Sequence, residues 1–220
     1  MLIVRTLRGA ARAGFTLLEM MVVIIIIGIL STYLIVNVPE WMDKANQSAC
    51  EINMRNAYRY MVSWQMDHEG ALPRDSGQKF WLRLWKDDQF EHSESHAKMF
   101  FCPNATYQDH VDPEEFPMGV MEYLDLWDEL PEGGLSYAGF DAGGDRAVRA
   151  QLKNSPAATA IMSDAFWTHR TGMIYMTADG VQHRLLRSEL EEEYGINVDE
   201  VEFMPGPGCE VEILTTVSSN

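Results

Sequence analysis

Positive charge is scarce in this chain: 17 lysines and arginines face 33 aspartates and glutamates, a net charge of −16 over 220 residues. A surface of that sign repels nucleic acid and anionic headgroups, so no nucleic-acid partner is expected. Arg5, Arg8 and Arg12 all stand in the first fourteen residues, which leaves the remainder more acidic still. Cysteine is sparse too. Cys50, Cys102 and Cys209 are too few for a disulfide scaffold and lack the paired spacing of a zinc site. Outside the cytoplasm they allow one bridge and one free thiol; Cys50 with Cys102 is a candidate, and the sequence does not choose the pair. Also missing are a Gly-x-Ser-x-Gly elbow, a phosphate-binding glycine loop, a His-Glu-x-x-His helix and any internal repeat. The reading is therefore of a non-enzyme with no catalytic residue, no metal and no cofactor.

What the chain does have is one concentrated apolar run. Residues 15–38 read FTLLEMMVVIIIIGILSTYLIVNV, with Glu19 as the single carboxylate. A helix rising ~1.5 Å per residue over this run spans the roughly 30 Å hydrocarbon core of a bilayer. Arginines before it, and Glu40 and Asp43 with a single Lys44 after it, place the N-terminus in the cytoplasm and the rest outside. A secretory signal has an apolar stretch of about 7–15 residues and a small-residue cleavage site behind it; neither condition is met. An uncleaved signal anchor would explain the hydropathy alone. It would not explain Gly14 at the boundary of the basic leader, nor Glu19 one turn inside the span, where a lone carboxylate costs roughly 2.5 kcal/mol or more.

The run Gly14-Phe15-Thr16-Leu17-Leu18-Glu19 resembles the type IV prepilin motif. The resemblance implies that a prepilin peptidase cuts after Gly14 and methylates the new amine of Phe15. That amine would then pair with a Glu19 carboxylate, in the same subunit or its neighbour, and set the axial register as helices stack. Glu19 is thus expected to be an assembly residue.

Past the span, Pro39 predicts a kink or boundary without ending the helix. Met42, Ala45, Ala49 and Ile52, then Met54, Ala57, Met61 and Trp64, recur at helical spacing and predict an amphipathic continuation to about Asp67, closed by Gly70 and Pro73. From residue 15 that helix would be roughly 80 Å long. Phe80–Trp85 predicts a short helix and Met99–Phe101 a strand, followed by an irregular loop over 103–119. Strands, mostly antiparallel, are expected at Leu135–Phe140, Ala158–Met162, Met173–Thr177 and Val181–Leu186. Asp179-Gly180 should form a two-residue hairpin turn, Ser188 should cap a helix over Glu189–Glu193, and a last strand is expected at Val211–Leu214. The expected class is α+β: a long N-terminal helix, transmembrane in one half and amphipathic in the other, packed on a mainly antiparallel sheet. Its segments would be a leader (1–14), a membrane or filament-core helix (15–38), the amphipathic continuation (39–70) and an extracytoplasmic domain (71–220).

Further along, nine residues separate His169 from Asp179-Gly180. Cys50-x-x-Asn53-Met54, His68-Glu69-Gly70 with Pro73, Phe101-Cys102-Pro103 and Ser136-Tyr137 follow in order. Together these are similar to a group of pilin-like proteins named for a histidine, nine residues and Asp-Gly; His169, Asp179 and Gly180 are its motif positions. The resemblances imply a structural subunit of a type IV pilus or a type II secretion pseudopilus in the inner membrane. Its partners would be like subunits, the prepilin peptidase and membrane lipid. The competing reading is a membrane-anchored, metal-dependent extracytoplasmic enzyme or binding module centred on His169 and Asp179. Four positions, Asp164, His169, Asp179 and His183, invite it, although a hairpin at Asp179-Gly180 would carry His183 away along a strand.

Overall fold

A computed structural model describes residues 15–220; the expected leader, Gly14 included, lies outside the described residues. Helix α1 covers Leu17–Asp67 and continues through Pro39. The chain divides into two units, one ending at Trp41 and the other Met42–Asn220. In the first, the apolar side chains of α1 are exposed from Leu17 to Val36. The helix is long and apolar enough there to cross a membrane. Thr32 Oγ1 donates to Gly28 O at 3.0 Å and Asn37 Nδ2 to Tyr33 O at 2.8 Å, so these polar side chains are satisfied by their own helix.

In the second unit α1 buries a seam of Asp43, Gln47, Cys50, Met54, Ala57, Met61 and Trp64, spaced alternately by four and three. Its C-terminal half is the expected face. Its N-terminal half is not: Met42 and Ile52 are exposed, and the seam runs instead through Asp43 and Gln47. Asp43 is held there by polar partners across the interface, described below, whereas the buried Gln47 Nε2 has no partner among the described residues. The helix stops where Glu69 and Gly70 turn to positive φ, with Gly70 N donating to Gln65 O at 2.8 Å.

Helix α2 (Gln78–Lys86) buries Phe80, Trp81, Leu82, Leu84 and Trp85. The three indoles where α1 and α2 meet the core find acceptors: Trp64 of α1 on Asp87, and Trp81 and Trp85 of α2 on Ile161 O and Asp125, at 2.8–2.9 Å. Short helices α3 (Glu94–Ala97), α4 (Tyr107–His110) and α5 (Val120–Leu124) follow, then α6 (Arg146–Asn154), capped by Asp145. Met99–Phe101, expected as a strand, instead enters a 3-10 turn at Lys98–Phe100, and its unbroken burial comes from sharing the core of the α1 seam.

Five strands form one antiparallel sheet in the order β4-β3-β2-β1-β5: β1 Tyr137–Phe140, β2 Ala160–Asp164, β3 Gly172–Thr177, β4 Gln182–Leu186 and β5 Val217–Ser218. The class is α+β, as expected. Along β3, Met173 and Tyr175 face one core and Ile174 and Met176 the other, the period-two signature of a sheet covered on both sides. One core holds the α1 seam and α2; the other holds C-terminal residues such as Leu190, Phe203 and Leu214. Gly139 on β1 lies so close to the start of α2 that a Cβ there would sit 2.0 Å from Gly77 O.

Three expectations near the C-terminus are corrected. The hairpin loop has three residues, since Thr177 N donates to Val181 O at 3.0 Å and Gly180 takes φ +84° in the left-handed position that closes such a loop. Ser188 lies inside a helical turn (α7, Arg187–Glu189), and the Glu189 carboxylate accepts from Leu186 N at 2.8 Å; a π turn follows at Leu190–Tyr194. Val211–Leu214 is not a strand: a 3-10 turn at Glu212–Thr216 delivers Val217 and Ser218 to pair with Phe140 and Gly139.

Candidate functional site

At the N-terminal end, Thr16 and Glu19 close a reciprocal cap. Thr16 N donates to Glu19 Oε2 at 2.7 Å, Thr16 Oγ1 donates to the same oxygen at 2.9 Å, and Glu19 N donates back to Thr16 Oγ1 at 3.2 Å. The carboxylate thus has a local holder in its own first helical turn. Among the described residues its second oxygen has no partner.

His169 and Asp179 do not form one site. They flank opposite ends of β3, whose six residues separate those ends by about 17 Å. Asp179 Oδ1 accepts from Thr177 Oγ1 at 2.6 Å and Val181 N at 3.1 Å; the Thr177 bond, first, holds its carboxyl below the usual range. It is a hairpin residue, with Gly180 beside it. His183 stacks on Tyr175, its cross-strand neighbour, with ring centroids 5.0 Å apart.

His169 is buried among other partners. Its Nδ1 lies 3.5 Å from Asp43 Oδ1 and 3.0 Å from Asn104 Nδ2; its Nε2 lies 3.4 Å from Cys102 Sγ and 4.0 Å from Asp164 Oδ2. Asp43 also accepts from Asn104 Nδ2 at 2.6 Å and from Arg170 N at 3.0 Å, tying α1 to the segment leading into β3. Burial lowers the His169 pKa, with Asp43 pulling the other way. Burial pushes Asp164 up to about 8 against the Ile174 amide that donates to its Oδ2 at 2.8 Å, and Asp164 Oδ1 has no partner among the described residues. Cys50 on α1 is joined to Cys102 by a disulfide across 5.5 Å between Cα atoms, and Cys209 is a half-buried free thiol.

Asp43 reads in the sequence as a flanking charge and Asn104 as part of an Asn-Ala-Thr triplet. Neither carries a local pattern that announces its partner, because the bonds joining them span 61 residues.

A half-buried histidine gives a pH-dependent expectation. His110 on α4 contacts Gly133 O at 3.1 Å, Ala105 O at 3.1 Å and Ser136 Oγ at 2.7 Å. Burial lowers its pKa below 6.5, opposed by those carbonyls and by Asp109, the charged group beside it. A depressed histidine contributes stability above the unfolded value, and that contribution is lost as pH falls through the folded value. The urea midpoint is therefore expected to fall on acidification below about pH 6.5, and less steeply in His110→Gln. Parallel pH profiles for the two chains would contradict this.

A family model described as the prokaryotic N-terminal methylation motif matches residues 9–35. The chain carries a prepilin-type methylation motif. A 62-residue stretch is 42% identical to the ComG operon protein 3 homolog of Bacillus licheniformis, covering 27% of this chain and 62% of that protein. The chain thus spans less than two thirds of that curated relative's length. No solved structure matches the chain. The methylation motif runs into the exposed apolar part of α1, and the long helix followed by an antiparallel sheet is a pilin-like architecture.

Proposed function

We propose that this protein is a structural subunit of a type IV pilus or a type II secretion pseudopilus, anchored in the inner membrane with its N-terminus in the cytoplasm and residues beyond the span outside. Prepilin peptidase cuts after Gly14 and methylates Phe15, and the subunit then assembles through α1 with like subunits. The observation that carries this reading is the match of the methylation motif to residues 9–35, directly ahead of and into a helix fit to cross a membrane. Inside that apolar surround Glu19 acts in assembly: its Thr16 cap shields the carboxylate until the Phe15 amine offers a charged partner, and a mismatched register leaves both charges buried and unpaired. The likeness to the ComG operon protein supports a competence-type pseudopilin as one setting.

An enzyme centred on His169 and Asp179 finds no support, because β3 separates them. Co-expression with an active prepilin peptidase is expected to shorten the chain by its leader, and Gly14→Val to block the change. An unchanged size in the presence of active peptidase would contradict the proposal.

A further inference from the structure

The cluster around His169 contains more ligand chemistry than a packing role needs. Cys50 Sγ, Cys102 Sγ and a His169 ring nitrogen all lie within 4.8 Å of one another. Asp164 Oδ2, which accepts from Ile174 N, stands 4.0 Å from His169 Nε2, and the other oxygen of this fully buried carboxyl, Oδ1, has no hydrogen-bond partner among the described residues. A buried carboxyl oxygen left unmatched is costly and calls for an explanation. We propose that Cys50, Cys102, His169 and Asp164 form a redox-gated site for a zinc-class divalent metal ion: closed while the cysteines are bonded to each other, and open when a dithiol reduces them.

The distances suit a tetrahedral ion. Zinc bonds of about 2.3 Å to sulfur and about 2.0–2.1 Å to nitrogen or oxygen give ligand-to-ligand edges of roughly 3.3–3.8 Å. The 3.4 Å from Cys102 Sγ to His169 Nε2 already falls in that range, and the 4.0 Å to Asp164 is just outside it. The two sulfurs must part, and the Asp164 carboxylate must swing in from beside the three-residue cluster. Reduction transfers two electrons and two protons from the dithiol, which leaves as its own disulfide; the ion then displaces the two thiol protons and the proton that burial keeps on Asp164, and binds two thiolates, the carboxylate and the imidazole. The other ring nitrogen of His169 lies 3.0 Å from the Asn104 amide and 3.5 Å from Asp43 Oδ1, and a carboxylate in that outer position commonly orients a metal-bound imidazole. An approach exists as well: a groove of about 640 Å³ is lined by Ala49, Asn53, Phe101 and Cys102, so one ligand borders it. The site is independent of pilus assembly, and its failure would leave the methylation motif untouched.

The test uses the full chain in detergent, in a Cys209→Ser background, reduced with a phosphine and desalted without oxygen. Cobalt(II) titration is expected to give one equivalent of a tetrahedral species with a thiolate-to-cobalt charge-transfer band, displaced by zinc(II). The oxidised chain and the Cys50→Ser chain should lack it. His169→Gln and Asp164→Asn, which keep both thiols, should weaken cobalt binding by tenfold or more, with far-ultraviolet circular dichroism confirming that each remains folded. The proposal is overturned if the reduced chain binds no more cobalt than Cys50→Ser, or if folded His169→Gln and Asp164→Asn both bind like the parent.

Discussion

A Glu19→Ala chain is expected to enter the membrane as well as the parent, or better, and to be lost from filaments. Insertion is favoured because the substitution removes a carboxylate whose cost within a span is roughly 2.5–3.5 kcal/mol. Assembly fails for the opposite reason. Under the proposed processing Phe15 carries a free amine that packing helices would bury, and breaking a buried pair by removing one partner costs about 3–5 kcal/mol. At ~1.4 kcal/mol per tenfold, incorporation should fall roughly a hundredfold or more. Immunoblots of sheared filaments against the membrane fraction would read this directly, and normal incorporation of the variant would defeat the pairing argument. Thr16→Val separates the cap from the pair: it removes the hydroxyl bond to Glu19 Oε2 but keeps the Thr16 backbone donor and the carboxylate, so it should reduce incorporation far less.

The second large effect concerns the disulfide. Cys50 and Cys102 are 52 residues apart in sequence, and closing a loop of that length in the unfolded chain removes entropy equivalent to about 4 kcal/mol. For a single domain this is a large share of total stability. Cys50→Ser, or reduction in the presence of a chelator, should lower the urea unfolding midpoint of the second unit accordingly. Cys209→Ser should not, since that thiol is unpaired. Equal midpoints for oxidised and reduced chains would show that the bridge does not constrain the domain.

These two effects draw on parts of the chain that differ in how openly the sequence displays them. The apolar span and its lone acid are local patterns, legible residue by residue, and so are the end of α1 near Asp67 and strands β1–β4. The alternation along β3 belongs to the same class, as does the presence of a hairpin at Asp179-Gly180, although its loop has three residues where two were expected. The seam through Asp43 and Gln47 is different. A search for apolar periodicity selects Met42 and Ile52 there, because nothing near Asp43 in sequence reveals that Asn104 and the Arg170 amide will satisfy it. His169 is legible as a motif position, yet its contacts come from α1, from the turn after Cys102 and from β2, none within the nine-residue spacing that marks it. That spacing is instead the length of a strand with its two approaches, so the motif records a piece of sheet. Met99–Phe101 and Val211–Leu214 mislead for a related reason: unbroken apolar runs predict burial, but burial alone does not distinguish a paired strand from a 3-10 turn wedged into a core.

Intact-mass and N-terminal fragment mass spectrometry of the protein extracted from its native membrane tests the central claim most directly. A first residue of N-methylated Phe15, with residues 1–14 removed, is the predicted result. An intact Met1, or a new N-terminus beyond residue 30, would contradict it.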